Sequence, residues 1–214
     1  MERLICIAIG YVLGLIQTGY IYGKLNHIDI RNHGSGNAGT TNALRTLGWK
    51  AGAITLLGDS MKCVAAVLIS YFVFKDKDHN QLLALYGGLG AVLGHNYPFY
   101  LKFKGGKGIA STLGLILAIH PIMFLVVGCA FLVIVFTTQY VSLGSIVMMI
   151  LFVVQVVIYG QLGGFDLTAG QRYEYYVVVL FLALMAIFRH RANIKRLLAG
   201  KENKTNLLKM GKKS

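Results

Sequence analysis

The sequence contains few charged residues, very few acidic ones and almost no proline. Of its 214 residues, 14% are charged, eight are Asp or Glu and two are Pro, whereas 56% are hydrophobic and the mean hydropathy is +0.62. Soluble domains usually have about 25% charged residues. The composition therefore excludes an ordinary soluble domain and predicts an all-α integral membrane protein, in which the 26 glycines allow close helix packing.

Cysteines and carboxylates are too few and too scattered for two common kinds of site. Cys6, Cys63 and Cys129 are odd in number, lie far apart and sit within apolar runs, which is typical of buried thiols rather than of disulfides or metal ligands. No paired carboxylates accompany the basic segments, although a magnesium-dependent phosphotransferase would need them to hold its metal. We therefore predict a site that uses neither a metal nor a cofactor.

Seven apolar runs predict seven transmembrane helices. A bilayer-spanning helix needs about 20 residues. Two of the runs are shorter and are separated by His120-Pro121, so they form either a re-entrant hairpin or two short spans; a proline at a helix start favours the second reading. The runs cover approximately residues 4–23, 51–74, 82–101, 109–119, 122–136, 143–162 and 175–188.

The basic residues are divided unequally between the two faces of such a protein. With seven spans, segments 24–50, 102–108, 137–142 and 189–214 share one face and carry 16 of the 21 lysines and arginines. The positive-inside rule makes this face cytosolic, with the N-terminus outside and the C-terminus inside. We expect one membrane-embedded domain, 1–214, whose basic cytosolic segment 189–214 mainly serves topology and attraction to anionic lipids, not nucleic-acid binding.

The first polar segment on this face has the composition of an anion site. Its glycines allow the backbone to turn successive N–H groups into a concave nest, and Arg45 offers a fork suited to phosphate. A flexible polar connection between helices is the alternative, because such loops favour the same residue types. Ser35 and Arg45 are candidate catalytic residues. The candidate binding residues are Gly36, Asn37, Gly39, Thr41 and Asn42.

The second segment is a glycine loop that leads into an apolar helix. Backbone N–H groups and the helix dipole make such an N-terminus an anion site. The Walker A pattern is absent, so nucleotide hydrolysis gains no support. The candidates are Lys104, Gly105, Gly106, Lys107 and Gly108, whereas Lys102 is interpreted as a topology residue and His95, just upstream, as a secondary candidate.

The third segment places His190, Asn193 and Arg196 on one helix face at the end of the last span, because they recur every three residues. Imidazole can act as a base or donor near neutral pH. Inside the second apolar run, Asp59 and Lys62 are three residues apart and predict a buried ion pair that supports the site indirectly. A proton relay is the alternative for this pair.

Together these segments resemble the bacterial membrane glycerol-3-phosphate acyltransferases that use acyl phosphate as donor. Ser142-Leu143 and the Asp59 and Lys62 pair also fit, while Ala38 stands where many members have Pro and Cys63 where Gly often occurs. The main matches are Ser35-Gly-Asn-x-Gly-x-Thr-Asn42 with Arg45, Gly94-His-x-x-Pro98 through Phe103-Lys-Gly-Gly-Lys-Gly108, and His190-x-x-Asn193-Ile-x-Arg-Leu197 with Glu202.

The resemblance implies a seven-helix enzyme of the bacterial cytoplasmic (inner) membrane with its active site facing the cytosol. It implies transfer of a fatty acyl group to the sn-1 hydroxyl of glycerol 3-phosphate, giving lysophosphatidic acid and phosphate in phospholipid biosynthesis. Ser35 to Asn42, Arg45 and the Lys104 to Gly108 loop would hold two phosphates, and Ser142, His190 and Asn193 would complete the site. The enzyme that makes acyl phosphate is a candidate partner.

The chemistry of this donor leaves three mechanisms open. Acyl phosphate has a good leaving group, so catalysis must mainly place two dianions and stabilise the oxyanion. The acceptor proton passes either to a substrate phosphate oxygen, with His190 orienting it, or to His190 as direct base; a covalent acyl-Ser35 is the third possibility. An organophosphate transporter or anion channel remains the alternative function, although it would favour polar residues at mid-bilayer and internal repeats.

Overall fold

The computed structural model describes residues 1–205, which contain helices and no strand. The all-α prediction is therefore confirmed for this part of the chain; residues 206–214 of the predicted basic segment lie outside it. The helices are α1 (Glu2–Gly14), α2 (Thr18–Leu25), α3 (Thr40–Leu47), α4 (Trp49–Val73), α5 (Asn80–Asn96), α6 (Ile109–Ile119), α7 (Pro121–Thr138), α8 (Val141–Gln161), α9 (Ala169–Arg189) and α10 (Arg191–Leu198), with 3₁₀ turns at Ile30–Asn32 and Phe99–Leu101.

Five stretches of the described chain are long and apolar enough to cross a membrane, as expected of an integral membrane protein. They are Glu2–Leu25, Trp49–Val73, Pro121–Thr138, Val141–Gln161 and Ala169–Arg189. Helices α5 and α6 have 17 and 11 residues, fewer than the roughly 20 that a full crossing needs. Seven spans therefore stays a prediction.

One end of the helix bundle, which we call the far end, is fastened by ion pairs. Arg3 at the start of α1 donates to Glu174 on α9 at 2.8 Å, and Tyr86 on α5 donates to the same carboxylate at 2.7 Å. Glu2 pairs with Lys77, in the connection after α4, at 2.8 Å. The starts of α1, α5 and α9 thus lie together, and the polar segments of interest lie at the opposite end.

Helix α5 forms the centre of the bundle and packs against α1, α4, α6 and α9. Its contact with α1 depends on glycine: a Cβ added at Gly90 would lie 2.2 Å from the carbonyl oxygen of Ile7, and one at Gly10 would lie 1.9 Å from that of Gly87. Such backbone approach is what small residues permit between membrane helices. This close packing of α5 against α1 sets where along the bundle α5 ends, and the polar segments lie next to that end.

The first and third apolar runs differ from their predicted extents. Run 4–23 is not one helix, because α1 ends at Gly14 and α2 begins only at Thr18. Run 82–101 also ends early: α5 stops at Asn96, and Pro98, which has no N–H to continue the helix, precedes a 3₁₀ turn. The division at His120-Pro121 is confirmed, since Pro121 is the first residue of α7 and His120 Nδ1 accepts the Met123 N–H at 3.3 Å.

Candidate functional site

A single cavity of about 510 Å³ brings the three polar segments together at the end of the bundle opposite the far end. Its walls come from the loop before α3, the start of α6, the start of α8 and the junction of α9 with α10. The predicted site residues that line it are Ser35, Asn37, Gly39, Thr41, Asn42, Arg45, Asp59, His95, Lys107, Gly108, Ser142, His190, Asn193 and Arg196.

The loop of the first segment is organised by the side chain of Asn42. Its Nδ2 donates to the carbonyls of Ile30 at 2.7 Å and His33 at 3.0 Å, while its Oδ1 accepts the Ser35 N–H at 2.8 Å. The chain between them turns through Gly34, whose φ of +59° favours glycine. Asn42 therefore shapes the loop, since its amide hydrogen bonds are already used.

The glycine loop of the second segment is held from both sides. The N–H groups of Gly105 and Gly106 donate to the carbonyls of Asn96 and His95 at 3.2 and 3.1 Å, and Arg189 Nη2 donates to the two glycine carbonyls at 2.9 and 2.7 Å. These two N–H groups are thus engaged within the protein and are not the donors that the sequence suggested. Glycine is required for packing instead: a Cβ at Gly106 would lie 1.9 Å from His95 Nε2.

Two helix N-termini open on the cavity. Helix α3 begins after Gly39 and α6 begins after Gly108, and both glycines line the wall. The first N–H groups of a helix have no intrahelical acceptor, and the dipole gives that end a partial positive charge. Arg45, in the last turn of the short helix α3, and Lys107, just before α6, add full charges to the cavity wall. The cavity therefore offers two positions for an anion.

A carboxylate outside the cavity arranges the third segment. The Oε1 atom of Glu202 accepts from Asn193 Nδ2 at 2.7 Å and from Ser142 Oγ at 3.1 Å, and Oε2 accepts from Arg196 Nε at 2.8 Å. Asn193 Oδ1 in turn accepts from the ammonium of Lys107. The Glu202 side chain, only 4% exposed, thus connects α8, α10 and the second segment.

His190 is buried at the junction of α9 and α10, and its tautomer follows from its neighbour. Its Nδ1 lies 2.8 Å from the Ala186 carbonyl oxygen, which can only accept, so Nδ1 carries the proton and Nε2 keeps its lone pair. Burial, reinforced by the charge of Lys107, lowers the pKa of His190 to about 4. The imidazole is therefore neutral at neutral pH.

The polar end of the cavity has an excess of positive charge. Burial lowers the pKa of Lys107 to about 8; Glu202 opposes this shift, and Arg196, Arg189 and Arg45 add to it. Burial tends to raise the pKa of Glu202, but hydrogen bonds from Asn193, Arg196 and Ser142 outweigh it and lower the pKa. Among the described residues no group of His, Cys, Asp and Glu could hold a metal ion. A bound anion would relieve the repulsion between the cations.

The rest of the cavity is an apolar arm between α4 and α7, with α6 as its floor. Leu56 and Leu132 line the arm from α4 and α7 and are 39% and 47% exposed, and these two helices hardly pack against each other, so the arm also opens sideways between them onto the outer surface of the bundle. On α7 it reaches from Val135 to Phe124, about 16 Å at 1.5 Å per residue. Leu113 on α6 and Gly128 and Phe131 on α7 also line it. The cavity thus joins a cationic end to a long apolar arm.

A family model described as "Glycerol-3-phosphate acyltransferase" matches residues 4–200. The chain belongs to this family. Relatives named glycerol-3-phosphate acyltransferase include those of Clostridioides difficile, 44% identical over 203 residues that cover 94% of each chain, and of a Thermoanaerobacter species, 40% identical over 205 residues that cover 95% of this chain and 96% of the relative.

Two solved structures of PlsY, an integral membrane glycerol 3-phosphate acyltransferase, have the same fold as this family member. Its glycerol 3-phosphate form is 33% identical, covers both chains fully and superimposes with a TM-score of 0.85. Its lysophosphatidic acid form is 32% identical, covers 98% of each chain and has a TM-score of 0.82.

Several predicted site residues of this acyltransferase-family chain lie outside the cavity wall. Lys104 is exposed, and Lys62 is buried behind the wall, where it pairs with Asp59 at 2.9 Å. Gly36, Gly105, Gly106 and Glu202 also do not line it. Sequence reasoning missed Arg189 as the support of the glycine loop and Gln17, a buried amide in the first apolar run that contacts the same region. A lone polar residue in that run was the available signal.

Proposed function

We propose that this protein transfers a fatty acyl group from acyl phosphate to the sn-1 hydroxyl of glycerol 3-phosphate, giving lysophosphatidic acid and phosphate. The observation that carries the proposal is the two-part cavity. Its cationic end has two anion positions, at the N-termini of α3 and α6, and its apolar arm fits a fatty chain. Only a reaction that brings two phosphates and one acyl chain together needs all three parts.

In this proposal each helix N-terminus holds one phosphate. Ser35 and Arg45 serve the position at α3, which we assign to the phosphate of the acyl donor, and Lys107 with Gly108 serves the position at α6, which we assign to the phosphate of glycerol 3-phosphate. Ser142, Asn193, Arg196 and Glu202 then act on Lys107 by fixing the direction of its ammonium group. Fixed donors in a site that excludes water stabilise developing negative charge at little reorganisation cost.

The hydroxyl of glycerol 3-phosphate attacks the carbonyl carbon of the acyl phosphate, and the bond from that carbon to the phosphate oxygen breaks. The phosphate leaves with the electron pair, and the hydroxyl proton ends on a phosphate oxygen. A phosphate with a pKa of about 6 is a stronger base than His190 with a pKa of about 4. This favours the substrate phosphate as proton acceptor, with the lone pair on His190 Nε2 orienting the hydroxyl.

The deciding experiment supplies the purified protein with palmitoyl phosphate and labelled glycerol 3-phosphate, without CoA or added metal. We expect labelled lysophosphatidate carrying palmitate at sn-1, and little product when palmitoyl-CoA replaces palmitoyl phosphate. Absence of product would contradict the proposal. Uptake of unchanged glycerol 3-phosphate into sealed vesicles would instead favour a transporter or anion channel.

We also infer that the cavity faces the cytosol of a bacterium and that the chain crosses the cytoplasmic membrane seven times. Lys104, near the cavity, and Lys77, near the far end, are both exposed. In a variant without native cysteines, we expect Lys104→Cys to react with a membrane-impermeant thiol reagent only from the cytosolic side and Lys77→Cys only from the outside. Labelling of both from the same side would contradict this topology.

The pKa of Lys107 predicts how phosphate binding depends on pH. A bound phosphate raises this pKa, so affinity is highest while Lys107 is protonated and falls as pH rises above about 8. Affinity also rises as the phosphate becomes a dianion above a pH of about 6. We therefore expect glycerol 3-phosphate to bind best between these values in calorimetric titrations. Lys107→Arg should move the alkaline limb to higher pH, because a guanidinium stays charged; an unmoved limb would show that another group titrates.

A further inference from the structure

The break between α1 and α2 leaves backbone carbonyls inside the bundle that side chains satisfy. The Gly14 carbonyl accepts from Lys62 Nζ and from Gln17 Nε2, each at 3.2 Å, and the Ile16 carbonyl also accepts from Lys62. The Leu15 carbonyl accepts from the Tyr100 hydroxyl at 2.7 Å. Carbonyls without helical partners are tolerated at membrane depth only when other groups bind them. The break is therefore a built element of the fold.

One of the side chains that bind the carbonyls at this break carries a charge that is buried inside the bundle. The Lys62 side chain is 3% exposed and its only carboxylate partner is Asp59, at 2.9 Å, among the described residues. A buried pair of this kind is weak support for stability, because well-packed apolar side chains of similar size often stabilise a protein as much or more. Intramembrane ionisable residues are costly and usually have a functional reason.

A short series of contacts connects the break to the glycine loop. Lys62 Nζ lies 3.0 Å from His95 Nδ1, and Gln17 Nε2 donates to the His95 carbonyl at 3.1 Å. The same carbonyl accepts the Gly106 N–H at 3.1 Å, and the His95 ring lies directly against Gly106. Gly106 precedes Lys107 and the N-terminus of α6. Lys62 and Gln17 thus hold the end of α5, on which the loop rests.

We propose that Lys62 and Gln17 are positioning residues that fix the glycine loop for the phosphate of glycerol 3-phosphate. They act through His95 and do not touch the substrate, and Asp59 balances the charge of Lys62. The proposal rests on the proposed phosphate-binding role of Lys107 and α6. It assigns the interrupted first membrane helix a function in substrate binding, and it differs from a proton relay because no proton needs to move.

Two variants separate positioning from folding. In Asp59→Leu/Lys62→Met an apolar pair fills the space and leaves no unpaired buried charge, while the Gly14 and Ile16 carbonyls lose the ammonium. Gln17→Met keeps the side-chain length and removes the amide donor to His95. We expect each to raise the KM for glycerol 3-phosphate by about tenfold to a hundredfold, as small misplacements of binding groups do. The matched control is Arg3→Met/Glu174→Leu, which removes an ion pair at the far end and should leave KM unchanged.

Melting temperature and gel-filtration profile show which variants fold. If Asp59→Leu/Lys62→Met does not fold, Gln17→Met alone tests the proposal. A folded variant with wild-type KM, or an equal rise in the far-end control, would overturn the proposal. Lys107→Met tests its premise separately. If Lys107→Met leaves KM unchanged, the loop does not bind the phosphate; if it raises KM and Gln17→Met does not, the loop binds phosphate without help from the break.

Discussion

Replacing Arg45 is expected to have the largest effect on turnover. Arg45 lines the cavity from the last turn of α3, and its guanidinium can bond two oxygens of one phosphate at once. We expect Arg45→Met to lower kcat/KM by about a thousandfold and Arg45→Lys by about a hundredfold, since removal of one preorganised donor costs that much and an ammonium cannot reproduce the planar fork. Initial rates with both substrates varied provide the measurement.

Arg191 is the matched control for Arg45. It is exposed at the same end of the bundle, on α10, and its guanidinium lies over the Phe188 ring. We expect Arg191→Met to keep nearly wild-type kcat/KM, because Arg191 does not line the cavity. Equal losses in Arg45→Met and Arg191→Met would show that overall charge matters more than the fork.

Gly128→Leu is expected to shift the acyl-chain preference towards shorter chains. Gly128 lines the apolar arm, and a Cβ added there meets no atom within 4 Å, so the backbone accepts a side chain. Leucine would occupy the space of about four methylenes. Burial of each methylene contributes about 0.8 kcal/mol, so we expect the preference for lauroyl over palmitoyl phosphate to increase on the order of a hundredfold. Competition between the two donors in one vesicle preparation measures the ratio directly.

Val126→Leu controls for added bulk on the same helix. Val126 is 48% exposed and lies on a face of α7 outside the cavity. The Val126→Leu substitution should leave the ratio of lauroyl to palmitoyl transfer unchanged. If Gly128→Leu lowers the rate for both donors equally, the fatty chain does not extend along α7 as far as Gly128.

The meeting of the three polar segments could be predicted, because counting spans places them on one face and their glycines and cations share one chemistry. Which residues of these segments line the cavity could not be predicted. Lys104 and Lys107 are three residues apart in one glycine loop, yet only Lys107 lines the cavity. The loop takes its course from Arg189, which is distant in sequence and binds the carbonyls of Gly105 and Gly106.

Two further features could not be predicted from the pattern of residues in the sequence. The break after Gly14 falls inside an apolar run, and its carbonyls are bound by Lys62, which is 48 residues away in the sequence and approaches only in the folded bundle. The apolar arm was hidden for another reason. Lipid is as apolar as a helix interior, so the face of α7 with Phe124 and Gly128 has the same residue types as the face with Val126.

The sideways opening between Leu56 and Leu132 has a consequence for how the enzyme encounters its substrates. In the proposed reaction, a fatty chain would enter and leave the arm within the plane of the bilayer, while the phosphates would stay at its surface. The concentration that governs saturation is then the mole fraction of acyl donor among the surrounding lipids. Adding inert phospholipid at constant bulk donor should slow the reaction by surface dilution, whereas the dependence on water-soluble glycerol 3-phosphate should stay the same.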